Sequence, residues 1–206
     1  MSIVSYLTSE LPRALRRLSG RSKSAFALLC ATRVASADVS AAPAIVRLGW
    51  DRTMAALEVL WPMLVGPQAD PSAVDRLQGD LLSGVSSPDG SLTPIDTLWH
   101  SLLNECLCAT IYAARGLMAD TQDNAVWSAQ CGADARFTAD QVSGRVPVVN
   151  IVRTVDDVPD ESMLVERDLQ LQDIGDLQVL DGSDLGAWAS GLELLRTRAR
   201  GACVRL

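Results

Sequence analysis

Apolar residues three and four positions apart recur along most of this chain, and from residue 93 to 137 they outline two long amphipathic helices in succession. Thr93-Pro94-Ile95-Asp96 is a start signal, with a capping Thr, Pro at the first helical position and a carboxylate at the third. Ile95, Leu98, Trp99, Leu102, Leu103, Cys106, Ile111 and Leu117 then form one stripe. Asp120-Thr121-Gln122-Asp123 repeats the start signal ahead of Val126, Trp127, Gln130, Asp134 and Phe137.

The same spacing predicts a helix over 3–18 that Pro12 delays or kinks and Gly20 ends, and a second over 22–35 with Phe26, Leu29, Cys30 and Val34 on one face. A short turn follows Pro43 and stops at Gly49. A further helix over 50–65 carries Met54, Leu57, Leu60, Trp61 and Leu64, and Asp70-Pro71 opens another to about Leu82. Val146, Val148, Val149, Ile151, Val152 and Val155 are β-branched and bracketed by Pro147 and Pro159. With no second strand to pair with, they predict an extended strap near residues 143–159. Asp160 caps a helix to about Leu180, residues 181–184 break the chain, and a last helix covers 185–199. No fixed period repeats. The expected fold is all-α: a single-domain multi-helix bundle over 1–206, with Trp50, Trp61, Trp99 and Trp127 largely buried.

Composition narrows the function classes. The 206 residues are 48% hydrophobic and 21% charged, an ordinary globular balance. The formal net charge is −7, unevenly spread. Residues 1–52 carry eight basic and three acidic side chains, and residues 150–185 carry ten acids against Arg153 and Arg167. An acidic body argues against nucleic-acid binding, which depends on neutralising phosphates, and suits a basic protein partner. Arginine outnumbers lysine 17 to one, which reads as coding bias. The five cysteines form no CxxC pair, so free thiols and a cytoplasmic setting are expected. No export signal or membrane span is visible, the longest apolar run (25–31) being far too short.

Three segments carry a family resemblance. Residues 24–30, Ser-Ala-Phe-Ala-Leu-Leu-Cys, are followed after a gap by Gly49-Trp50. Residues 109–117, Ala-Thr-Ile-Tyr-Ala-Ala-Arg-Gly-Leu, lead to Asn124-Ala125-Val126-Trp127. Met163-Leu164-Val165-Glu166 runs on to Gln172-Asp173-Ile174-Gly175-Asp176-Leu177. Over roughly residues 5–180 this set resembles the bacterial YjaG-like family, domain of unknown function 416. The resemblance implies an all-helical fold and carries no catalytic residues. Thr32 stands where that family commonly has an acid before Arg33, and the usual proline-aromatic pair after that helix is missing.

No catalytic constellation is expected. His100 is the only histidine, and Cys106 on the same helix lies roughly 120° away around the axis, so the two side chains diverge. There is no nucleophile elbow, and neither GxxxxGK[ST] nor GxGxxG occurs, so no cofactor is implied. Cys106 and Cys108 point to opposite sides of a helix, which excludes a simple metal pair. Asp156, Asp157, Asp160 and Glu161 lack the ligand spacing of a calcium loop and read as a solvated turn and helix cap. Glu166, Asp168, Asp173 and Asp176 read as an exposed acidic helix face. Arg196, Arg198, Arg200 and Arg205 read as complements to the last helix dipole or to the acidic body.

The expectation is a non-enzymatic protein-binding protein, an immunity protein neutralising a basic toxin being its specific form. Asp156, Asp157, Glu161, Glu166, Asp168, Asp173 and Asp176 are its expected partner surface. A helical adaptor or ligand sensor in signalling, and an enzyme with a carboxylate-based site, are the alternatives.

Overall fold

A computed structural model describes residues 3–66, 70–84, 92–118, 122–146 and 161–203. The described residues are helical with no strand. The chain enters through α1 (Ile3–Ser5), a π-helical stretch (Tyr6–Glu10) and α2 (Leu11–Leu15). There follow α3 (Gly20–Ala35), α4 (Ala44–Val65), α5 (Pro71–Leu82), α6 (Pro94–Met118), α7 (Gln122–Val142), α8 (Glu161–Leu180) and α9 (Leu185–Gly201). None of them is long and apolar enough to cross a membrane.

Helix α3 is the axis of the bundle. From Ser24 to Ala35 every residue is buried, so this helix has no solvent face, and α4, α6, α7, α8 and α9 surround it. Its alanines are buried, as are Ala125, Ala129 and Ala133 of α7 and Ala109 and Ala113 of α6, helices that pack on it, and side chains this small let backbones approach closely. The Ser24 hydroxyl donates to the Gly116 carbonyl at 2.7 Å, and the Ser128 hydroxyl reaches the carbonyls of Ala27 (2.9 Å) and Ala109 (3.2 Å). Two indoles fix α4 to α3: Trp50 Nε1 donates to the Ala35 carbonyl at 2.7 Å, and Trp61 Nε1 to Thr32 Oγ1 at 3.1 Å. Each indole thereby buries its ring and satisfies its one polar atom.

Several boundaries differ from the sequence reading for local reasons. Gly20 begins α3 because Ser19 caps it, its hydroxyl accepting from the Ser22 amide. The expected turn at 43–49 and the helix at 50–65 are one helix, α4, with Gly49 inside it; a Cβ on Gly49 would sit 2.7 Å from Leu103 Cδ2. Pro62 is tolerated in the last turn of α4. The N-terminal helix runs unbroken from Ile3 to Leu15, widened by a π-helical stretch just before Pro12. Asp70 caps α5, accepting from the Ser72 amide, where the sequence opened a helix, and Asp184 at the end of the expected break caps α9, accepting from the Ala187 amide. Gly182 turns the α8–α9 connection with φ +89°, a conformation open to glycine. Most of the expected strap, residues 147–159, lies outside the described residues.

Candidate protein-binding face

The acids of α8 divide by position on the helix. Glu161 and Asp168 are exposed, Asp168 being bonded to its neighbour Arg167 at 2.6 Å. Asp176 is partly exposed and paired with Arg198. Glu166 and Asp173 are only 1% and 2% exposed, which corrects their assignment to an exposed acidic face. Asp156 and Asp157 lie outside the described residues. The reason for the correction is Arg33, itself 1% exposed on the all-buried helix α3, which demands carboxylates inside the fold.

These groups form a closed network. Arg33 Nε donates to Glu166 Oε1 at 2.9 Å, and its Nη1 pairs with Asp173. Arg136 Nε of α7 donates to Glu166 Oε2 at 2.7 Å, and Arg198 Nη2 of α9 donates to Asp173 Oδ1 at 2.6 Å. Gln170 Nε2 adds bonds to Glu166 Oε1 (3.2 Å) and the Ala129 carbonyl (3.0 Å). Burial alone would raise the Glu166 carboxyl, but Arg33 and Arg136 outweigh it and hold it below its ordinary range. Arg33, Arg136 and Arg198 balance Glu166, Asp173 and Asp176 charge for charge. A cavity of about 360 Å³ opens beside Arg136, Arg145, Ser162 and Cys203, but Arg145 there already meets Asp140 at 2.6 Å. The network joins α3, α7, α8 and α9, and each of these charged groups has an opposite charge beside it. The C-terminal arginines likewise turn to the body, Arg196 and Arg200 both pairing with Glu58.

Helices α6 and α7 pack antiparallel, and their outer stripes meet residue against residue. Tyr112 faces Trp127, with ring centroids 6.1 Å apart and planes inclined by 24°. Cys108 and Cys131 come next, and at the far end Glu105 lies beside Asp134 and accepts a hydrogen bond from the Cys131 thiol. Positions 105, 108, 112 and 115 fall on one face of α6, and 127, 131 and 134 on one face of α7. Trp127 is 48% exposed, correcting the expectation that it anchors the core. The Arg115 guanidinium stands 5.8 Å from the centre of the Tyr112 ring.

Glu105 and Asp134 are half-buried, and among the described residues neither forms a salt bridge. Burial, reinforced by the charge of Asp134, pushes the Glu105 carboxyl up to about 7, and burial pushes Asp134 up to about 6. The ladder carries groups that sequence reasoning passed over. Its signal was present: in an antiparallel α6–α7 hairpin, 105, 108 and 112 stand opposite 134, 131 and 127.

His100 is half-buried while Cys106 is fully buried, so the two do not share a surface. Among the described residues no group of three or more His, Cys, Asp or Glu side chains is placed to hold a metal. Comparison with protein-family models, with curated proteins and with solved structures gave no match.

Proposed function

We propose that this chain is a non-enzymatic protein-binding domain for a basic partner, with the neutralisation of a toxin by its immunity protein as the specific form of that role. The observation that carries the reading is the exposed Trp127, stacked on Tyr112 with Arg115 alongside. Trp, Tyr and Arg are the residues that dominate binding energy at protein interfaces, because they offer large rigid area with a polar handle. A tryptophan left half in water on a bundle that buries Trp50, Trp61, Trp99 and Trp188 contributes little to the core.

The net charge of −7 supports a basic partner. The YjaG-like resemblance adds a helical fold to this reading and no activity.

The test is association with the basic product of the reading frame adjacent to this one, followed by stopped flow. The on-rate should fall as salt rises from low to moderate ionic strength. No association, or a rate indifferent to salt, would contradict the proposal.

A further inference from the structure

The α6–α7 ladder has an aromatic half and a carboxyl half, and the two together define what can sit on it. The aromatic half offers a ring face: Trp127 is 48% exposed and backed by Tyr112. The carboxyl half offers two side chains held in place by burial and by the Cys131 thiol, with no cation of the chain beside them among the described residues. Trp127 and Asp134 are seven positions apart, two helical turns or about 10 Å along the axis. That is within the span of an extended arginine side chain and its backbone. An apolar ring flanked by uncompensated carboxyls is complementary to a long side chain with an apolar stem and a cationic, flat head.

Resting on the protein-binding reading above, we propose that the α6–α7 face receives an arginine side chain of the partner, its stem across Trp127 and its guanidinium between Glu105 and Asp134. Arginine fits better than lysine, because a planar fork can meet two carboxyls and stack on an indole, whereas an ammonium is a compact, strongly hydrated point. Arg115 does not fill the place: it lies over Tyr112 and bonds Gln78, at the opposite end of the ladder.

Occupancy changes the ionisation of the site. The described groups that act on Glu105 are Asp134 of α7 and the Cys131 thiol; Cys108 is acted on by Glu105 and Arg115, and Tyr112 by Cys131, Cys108, Arg115 and Glu105. A guanidinium between the two carboxyls favours their charged forms, so binding releases protons near neutral pH and weakens as the pair protonates.

The experiment uses the full chain and N-acetyl-arginine amide as the probe, with the lysine and glutamine amides as controls. Chemical shifts of the Trp127 indole and of the Glu105 and Asp134 side-chain carboxyls are followed by NMR. The arginine amide should bind about tenfold more tightly than the glutamine amide, and more tightly than the lysine amide. Both carboxyl resonances should move toward the ionised form. The variant E105Q/D134N should reduce arginine binding to the glutamine level while keeping the helical spectrum, and W127A should reduce it independently. Equal binding of the arginine and glutamine amides, or an E105Q/D134N variant that binds arginine amide unchanged, overturns the inference. Such a failure would leave the protein-binding reading standing on its own test, since association with the basic partner is measured without the probe.

Discussion

Arg33 and Glu166 are 133 residues apart in the chain and meet at 2.8 Å in its interior, each with 1% of its side chain exposed. A charge this deep is stable only when its partner is present, so the two helices that bear them, α3 and α8, are committed to one another. Glu166→Gln leaves Arg33 with Asp173 alone and Arg136 without its carboxylate. The expected loss is about 3–5 kcal/mol, read as a fall in melting temperature and in the denaturant midpoint. Glu161→Gln, on the exposed side of the same helix, should change stability by less than about 0.5 kcal/mol.

Gly132 is where α7 admits this network. A Cβ there would lie 3.3 Å from Glu166 Oε1 and 3.7 Å from Gln170 Nε2, both held by other bonds. Gly132→Ala should therefore destabilise by about 1–3 kcal/mol. Gly175, exposed in α8 with nothing near its missing Cβ, should behave oppositely. Gly175→Ala is expected to stabilise by about 0.5–1 kcal/mol. Equilibrium urea unfolding of the two variants checks both signs.

The helical architecture was legible because caps and apolar spacing act locally: Thr93 and Asp70 cap where the sequence opened helices, and Trp50, Trp61 and Trp99 are buried. Which face of α8 turns inward was legible in part, since helical spacing puts Glu166 and Asp173 in line with buried Leu177 and Asp168 on the opposite side. What the spacing does not supply is a reason to bury two carboxylates, and that reason is Arg33, on a helix surrounded on every side. Trp127 was misread for a related reason. The α7 stripe was judged by itself, whereas the small residues Ala125, Ala129, Gly132 and Ala133 take the buried face and leave the indole outside.

Stability should vary with pH in a way that isolates the carboxyl pair. Glu105 is raised from 4.5 to about 7 and Asp134 from 3.8 to about 6, so between those limits the folded state holds protons that the unfolded state has released. Their contribution falls as pH rises through this window. Glu166 acts in the other sense: its carboxyl is held low, so its contribution is full above the unfolded value and is lost on acidification. Glu105→Gln should flatten the decline in melting temperature between about pH 4.5 and about pH 7. An unchanged slope would show that the pair does not titrate as described.

Thiol reactivity should follow burial. Cys30, Cys106 and Cys131 are buried and their thiols are pushed up by burial, while Cys108 and Cys203 are half-buried. Under native conditions a thiol reagent should modify Cys108 and Cys203 first, and the other three only on unfolding. In denaturant all five cysteines should react. Fast native labelling of Cys30 or Cys106 would contradict the packing of α3 against its neighbours.

The α6–α7 face as the partner surface is tested most directly by equilibrium affinity for the basic partner, comparing W127A with the double charge reversal E161K/D168K on α8. Both sites are exposed, so each variant should keep its helical spectrum. W127A should weaken binding by about tenfold or more, as loss of an exposed aromatic anchor does. E161K/D168K should alter the on-rate and its salt dependence with a smaller effect on affinity. Full affinity in W127A, with binding lost in E161K/D168K, would place the contact on α8 and contradict it.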